Sequence, residues 1–323
     1  MATRSTTLIA GVLAGATLLA ASCGDDDGAT AEPTATVVPT TAAVVTTAAA
    51  SSPPSEPTED APERIVSLSA TATEMLFAIG AGGQVIAVDS TSNYPPEAEA
   101  VLTDLSAFEP NVEAIAGYEP DLVVHDGSIS GLTEQLGSLD IEVWEGPAAT
   151  TFGDAYAQIE QLGAVTGHVA EAAEVVADVQ ADLEEISRSV PTSEVPLTYY
   201  HELDDTLYSV TSSTFIGEVY SLFGLRNIAD QVEGDSGGYP QLNAEFVISE
   251  DPDLIFLADS KCCAQTLEAV ASRDGWGEMT AVVNGHVFEM DDDIASRWGP
   301  RVVEYAQAVA DAIETALAPT SGG

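Results

Sequence analysis

Two histidines each close a short apolar run, Leu122-Val-Val-His125 and Leu197-Thr-Tyr-Tyr-His201, and an acid follows each at once, Asp126 and Glu202. Neutral imidazole ligates transition metals and haem iron well, and a carboxylate beside it supplies a further ligand or a proton acceptor. No spacing motif supplies a third or fourth ligand, so no resident metal centre and no cofactor are expected. The adjacent pair Cys262-Cys263 is a second reactive feature. Neighbouring Cα atoms stand about 3.8 Å apart, below the usual disulfide range, yet thiols outside the cytoplasm tend to oxidise. The expectation is a vicinal disulfide forming a hard apolar patch, with a free pair or a metal-binding pair as the alternatives. Arg297 and Arg301 can meet phosphate or carboxylate on a ligand, although a salt bridge is the better reading for Arg301. Phe108, Tyr208, Tyr239 and Trp298 add aromatic surface suited to a large flat guest. A His-Glu-x-x-His pair and a phosphate-binding glycine loop are both missing from the sequence, and no catalytic residue is assigned.

These side chains need elements to carry them. Ile65–Leu68, Val85–Val88 and Leu122–Val124 read as short buried strands. Thr71 and Glu74 have the capping-box pattern ahead of Met75, Leu76 and Ile79, a helical face that ends at Gly80. Asn111 caps a short helix through Ala116. The paired prolines after Tyr94 fix a loop, and Phe108 falls near the strand ends. The phrase Asn111-Val-Glu113…Pro120-Asp121-Leu returns as Asn243-Ala-Glu245…Pro252-Asp253-Leu. Glu113 to Glu245 and Asp121 to Asp253 are both separated by 132 positions. Two related α/β lobes with parallel sheets follow, their ligand contacts at the strands' carboxyl ends. Between them 169–190 runs without Gly or Pro and predicts one long, stiff helix, hence small hinge motion. The boundaries are an N-terminal lobe over 63–165, a linking helix over 166–191 and a C-terminal lobe over 192–318.

Composition sets further limits. The chain carries 53 acidic and 8 basic residues, a formal charge of −45, so no basic surface for nucleic acid or anionic lipid can be assembled. At the start, Arg4 and the apolar run 8–20 read as an export signal over residues 1–22. Ala20-Ala-Ser-Cys23 resembles a lipobox, which makes Cys23 a lipidation site and the sole membrane anchor. Residues 23–62, rich in Thr, Ala and Pro, read as a disordered tether.

Arg64-Ile-Val-Ser-Leu-Ser…Thr73-Glu, Asn93-Tyr-Pro-Pro-Glu, the two Asn-x-Glu phrases, Gly238-Tyr-Pro-Gln-Leu and Gly299-Pro-Arg together resemble the cobalamin and ferric-siderophore periplasmic-binding family. The resemblance covers nearly everything from Pro62 to about Ala318. It implies two Rossmann-like lobes joined by one rigid helix and a ligand in the cleft between them. That cleft would be lined by Phe108, His125, Asp126, His201, Tyr208, Tyr239, Arg297 and Trp298. The partners it implies are an ABC permease dimer with its ATPase subunits and a metal-chelate ligand, the chain itself being a monomer. Glu113 and Glu245 match the family's docking glutamates, and one carboxylate per lobe suits a two-fold partner. The resemblance favours cobalamin as cargo because of Tyr94-Pro-Pro and Tyr239-Pro-Gln, with ferric siderophore or haem as alternatives. A histidine-based metal or hydrolytic site in the same cleft and a cell-surface sensor are the rival readings.

Overall fold

In the computed structural model, residues 61–191, 193–232 and 236–318 are described. The export signal, Cys23 and nearly all of the tether lie outside those residues.

Two four-stranded, all-parallel sheets form the frame. In the first lobe the strands are β1 (Ile65–Leu68), β2 (Val85–Val88), β3 (Leu122–His125) and β4 (Glu142–Glu145), in the order β2-β1-β3-β4. In the second they are β5 (Thr198–Glu202), β6 (Arg226–Asn227), β7 (Leu254–Leu257) and β8 (Val287–Glu289), in the order β6-β5-β7-β8. The order of strands is the same in both, which agrees with two related lobes. The first lobe's helices are α1 (Ala70–Ala78), α2 (Val112–Ala116), α3 (Leu132–Gly137) and α4 (Phe152–Thr166); α5 (Val169–Ser189) follows. The second lobe adds α6 (Phe215–Ser221), α7 (Ala244–Glu250), α8 (Ser260–Cys263), α9 (Leu267–Ala271), α10 (Thr280–Asn284), α11 (Asp292–Ala295) and α12 (Val302–Leu317).

The repeat is visible in the caps. Asn111 accepts from the Ala114 N–H, and Asn243 from the Phe246 N–H, so each begins a one- to two-turn helix that leads into the third strand of its sheet. The first helix starts differently from the sequence expectation. Ser69, directly after β1, caps α1 by accepting from the Ala72 N–H, and Thr71 lies inside the helix. The Thr71–Glu74 capping box does not form, because the Glu74 side chain is drawn to the second lobe instead. The strand β6 and the short helices α8 to α11 carry too few residues to show a period, and the sequence reading missed them.

Helix α5 belongs to both halves. Ala172 and Val176 lie in the hydrophobic core of the first lobe, whereas Val179, Leu183 and Ile186 lie in that of the second. Burying apolar surface along its whole length fixes the helix to both bodies at about 25 cal/mol per Å² removed from water. It meets α4 at a tight corner. A Cβ at Gly163 would run into the Ala172 methyl group and the His168 carbonyl, so only glycine lets the two helices approach this closely. Gly163→Val should therefore destabilise the fold by about 1–3 kcal/mol through overpacking, read as a lowered urea midpoint with an unchanged slope.

Candidate ligand-binding mouth between the lobes

The strand-end loops of the two lobes meet. After β2, the Asn93 amide donates to Asp293 of α11 at 3.2 Å, and the Thr91 carbonyl accepts from Arg297 at 3.1 Å. Arg297 also donates to Glu74 at 2.7 Å and to Asp293 at 3.0 Å. The Glu74 side chain is 2% exposed and that of Arg297 9%, so this is a buried ion pair across the lobe boundary. Burial pushes the Glu74 carboxyl above its ordinary pKa, while the Arg297 and Arg301 guanidinium groups pull it down. Next to it the Trp298 indole N–H donates to Gln158 at 2.8 Å, and Glu218 of α6 accepts from the Phe152 N–H of α4.

Arg297 and Trp298 were expected as ligand contacts. The structure places both at the seam between the lobes, where Arg297 Nη1 and Nη2 and the Trp298 indole N–H donate to protein groups. Arg301 follows its salt-bridge reading: it lies 3.7 Å from Glu74 and 3.8 Å from Glu304, and its guanidinium stacks 4.1 Å above the Tyr94 ring. The Tyr94–Pro95 peptide is cis.

The histidines are also inside. His125 is buried; its Nδ1 accepts from the Gly127 N–H at 2.9 Å and its Nε2 lies 3.1 Å from the Thr133 hydroxyl. His201 is fully buried, with Nδ1 2.8 Å from the Tyr220 hydroxyl, and burial lowers its pKa to about 3. Both imidazoles, expected as ligand contacts, are enclosed by protein rather than exposed at the loop surface, and His201 Nε2 is buried without a hydrogen-bond partner. They are strand-end residues whose rings pack under the loops, a distinction that strand periodicity alone does not reveal. Among the described residues no group of three or more His, Cys, Asp or Glu is arranged to hold a metal ion. Glu202 accepts a bidentate pair from Arg273 at 2.5 and 2.6 Å and is likewise structural.

Four of the expected contacts remain open. Phe108 is 76% exposed, on a loop whose Phe108 and Glu109 N–H groups are pinned by the Ser106 hydroxyl. Asp126 is half-buried in a turn closed by its own carboxylate on the Ser128 N–H. Tyr208 and Tyr239 lie on neighbouring loops of the second lobe. A bridge pairs Tyr208 with Gln241, and the Ser209 and Thr211 N–H groups donate to the carbonyls of Pro240 and Gly238. Gly238 has φ +90°, and a Cβ there would strike the Thr214 methyl, so glycine is needed for the Tyr239 loop to lie this close. Phe108 stands five residues before Glu113 and Tyr239 six before Glu245, near-equivalent places in the two lobes.

Cys262 and Cys263 are joined as a vicinal disulfide in α8, on the loop after β7, and both are exposed. Asp292 holds this turn, accepting from the Ser260 hydroxyl and from the N–H groups of Lys261 and Cys262. Lys261 pairs with Asp291 at 2.5 Å and with Asp293 at 3.1 Å. Beneath it lies Asp259, which sequence reasoning missed because a single acid at a strand end carries no signal. Both of its carboxylate oxygens are buried without a hydrogen-bond partner, and burial, with Glu202 nearby, raises its pKa to about 7.

A match to the periplasmic binding protein family spans residues 65–294. The chain belongs to that family. It is 30% identical over 260 residues to an ABC transporter substrate-binding lipoprotein of Bacillus subtilis, covering 78% of this chain and 80% of that one. It is 31% identical over 264 residues to a cobalamin-binding protein of Halobacterium salinarum, covering 79% of this chain and 70% of the relative. Among solved structures, the periplasmic vitamin B12-binding protein of Vibrio cholerae matches with a TM-score of 0.65 and 25% identity, over 80% of this chain and 99% of that one. A haem-binding periplasmic protein in complex with two haems shares the fold, with a TM-score of 0.70 and 18% identity over 79% and 99% of the two chains. The two-lobed α/β architecture of this periplasmic binding protein is thus the architecture of its structural neighbours. Among the described residues no helix is long and apolar enough to cross a membrane.

Two stability tests follow from these buried groups. Arg297→Ala strands the Glu74 carboxylate and should cost about 3–5 kcal/mol, whereas Glu74→Met with Arg297→Met should recover most of that loss in a chemical-denaturation cycle. Asp259 has a raised folded-state pKa, so its stabilising contribution is full below the unfolded value and is lost as pH rises through about 7. Asp259→Asn should raise the melting temperature more at pH 8 than at pH 5; an equal gain at both would contradict it.

Proposed function

We propose that this chain is the extracytoplasmic solute-binding component of an ABC importer that captures a corrinoid at the mouth between its lobes and delivers it to the permease. A ferric siderophore or haem is the second cargo class. The observation that carries the reading is the pair Phe108 and Tyr239. Both rings stay solvent-exposed, at near-equivalent strand-end loops of two lobes fixed to each other by the Glu74–Arg297 pair. Exposed aromatic faces on a rigid frame suit a broad, flat guest, which gains by stacking and by removal of apolar surface from water. Tyr208, on the loop bridged to that of Tyr239, and Asp126, just after β3, are assigned to the same contact in this reading. The names of the relatives, cobalamin- and vitamin B12-binding, agree in chemistry. No catalytic step belongs to this role; ATP hydrolysis on the partner subunits drives release.

Glu113 and Glu245 serve as the docking carboxylates in this reading. Each is exposed in the first turn of an equivalent helix, α2 and α7, behind an asparagine cap. Charges placed this way set register and encounter rate with a two-fold permease. Cys23 provides the lipid tether at the outer face of the membrane, and the protein acts as a monomer.

Native mass spectrometry and visible absorption of protein purified from corrinoid- and iron-containing medium test the cargo. A corrin spectrum is expected; a Soret band or a ferric-catecholate colour would move the assignment to the second class. Phe108→Ala with Tyr239→Ala should weaken cyanocobalamin binding by about tenfold or more. Glu113→Ala with Glu245→Ala should leave that affinity unchanged and lower uptake in reconstituted transporter; an equal loss of ligand affinity would contradict the docking role.

A further inference from the structure

The loops that carry the exposed rings hold acids but no free cation. Glu109 follows Phe108 directly, Asp126 follows β3, and Asp204 and Asp205 precede Tyr208 on its loop. Glu109 and Asp205 are exposed, and Asp126 and Asp204 half-buried. Among the described residues no ion pair engages any of the four. All basic residues of the chain but Arg4 fall within the described residues. Three lie away from the carboxyl ends of the strands. Arg64 donates to the carbonyls of Tyr118 and Glu119 ahead of β3, Arg226 opens β6, and Arg188 pairs with Glu184 near the end of α5. The other four are neutralised by protein carboxylates: Lys261 by Asp291 and Asp293, Arg273 by Glu202, Arg297 and Arg301 by Glu74. His125 and His201 add no charge at neutral pH, because burial lowers the pKa of each imidazole.

Resting on the reading of the mouth as the cargo site, we propose that it selects its guest by charge. A metal chelate of neutral or positive overall charge is admitted, and one with a negatively charged periphery is turned away. A flat guest resting on the rings brings its periphery towards these carboxylates, and beside protein like charges a few ångströms apart repel more strongly than in bulk water. An anionic periphery needs a counter-charge, and any lysine or arginine at this end of the strands must leave a carboxylate to supply one. For Arg297 that would strand Glu74 inside the seam. Peripheral amides make no such demand, since their N–H groups donate to carboxylates. The cargo classes divide accordingly. A corrin ring is fringed by amides, and a ferric tris-hydroxamate is uncharged at its core because three monoanionic ligands balance the ferric ion. Haem carries two propionates and a ferric tris-catecholate is a trianion, so both fall on the excluded side.

Fluorescence-quenching titration of the full chain compares cyanocobalamin with its monocarboxylate, in which one peripheral propionamide has become propionate. The carboxylate should bind about tenfold more weakly at low ionic strength, and the gap should narrow as salt is added. Asp126→Asn, which keeps the acceptor for the Ser128 N–H, should narrow the ratio of the two affinities, and Asp126→Lys should bring it near one or invert it. Glu63→Gln with Glu142→Gln, exposed acids where β1 and β4 begin, should leave the ratio within about twofold. Equal affinity for the two corrins in the wild type overturns the proposal. So does an equal change of the ratio in the Glu63–Glu142 variant, which would trace the effect to the charge of −45 as a whole. If cyanocobalamin fails to bind, the corrinoid reading falls, and the comparison passes to a ferric tris-hydroxamate and a ferric tris-catecholate. Binding of the first alone upholds selection by charge; binding of the second, or of neither, overturns it.

Discussion

A carboxylate buried at a boundary must find its counter-charge on the other side, and in this chain that requirement ties the two lobes together. Glu74 rises from the first helix of one lobe, and the Arg297 that neutralises it lies more than two hundred residues later in the other. A water-exposed pair would contribute little to holding bodies together, whereas a buried one cannot be opened without leaving a charge unpaired in low dielectric. Trp298, the neighbour of Arg297, packs against the hydrophobic cores of both lobes. The seam therefore combines a charge that resists separation with an indole that fills the space beside it.

The scarcity of cations makes their placement informative. With 8 basic residues against 53 acidic ones, few lysines or arginines are available to neutralise buried acids. Arg273 clamps Glu202 at the end of β5 and stacks over Trp276, Lys261 gathers Asp291 and Asp293, and Arg297 and Arg301 converge on Glu74. Each of these four sits at the strand-end side of the second lobe or at the seam. Asp293 links two of the groups, since it accepts from both Lys261 and Arg297. The vicinal disulfide turn, held by Asp292 next in the chain, is thereby joined through a short chain of hydrogen bonds to the contact between lobes. In the first lobe Asp89 is buried and accepts from the Thr91 and Ser92 hydroxyls, while exposed acids repel one another in water, where the repulsion is screened within about a Debye length.

The two lobes and their parallel sheets were legible in the sequence because strands such as β1, β2 and β7 are continuous apolar runs or nearly so and because the Asn-x-Glu phrase repeats at constant spacing. The linking helix was legible because a long stretch without Gly or Pro has few other ways to fold. The site was legible only in part. Phe108, Tyr208 and Tyr239 lie in loops and are exposed, as loop aromatics tend to be, and Asp126 is half-buried. His125 and His201, expected just past their strands, fall inside β3 and β5, and the direction each ring takes depends on Thr133 and Tyr220, partners that local pattern does not announce. The partners of Arg297 were hidden for a related reason. Its environment is set by Glu74 and Thr91 from the other lobe, and Glu74 had a sufficient local explanation as a capping residue. A single turn of helix offers several candidate caps, and Ser69 took the position because it directly follows the strand.

Stiffness is the property these parts share, and it decides how such a molecule can bind. Helix α5 is shared between two cores, the seam is locked by a buried pair, and the Tyr208 and Tyr239 loops are fastened to each other by backbone hydrogen bonds. A wide closing motion would have to break Glu74 from Arg297 and bend a 21-residue helix whose apolar stripe is buried at both ends. A guest at the proposed mouth would therefore meet a site formed beforehand. Affinity would then come from little loss of freedom on binding rather than from a large enclosed area. The same stiffness keeps Glu113 and Glu245 at a constant separation whether or not a guest is bound. A partner that reads these two acids would recognise the frame itself, and discrimination between loaded and empty forms would have to come from the guest protruding at the rim.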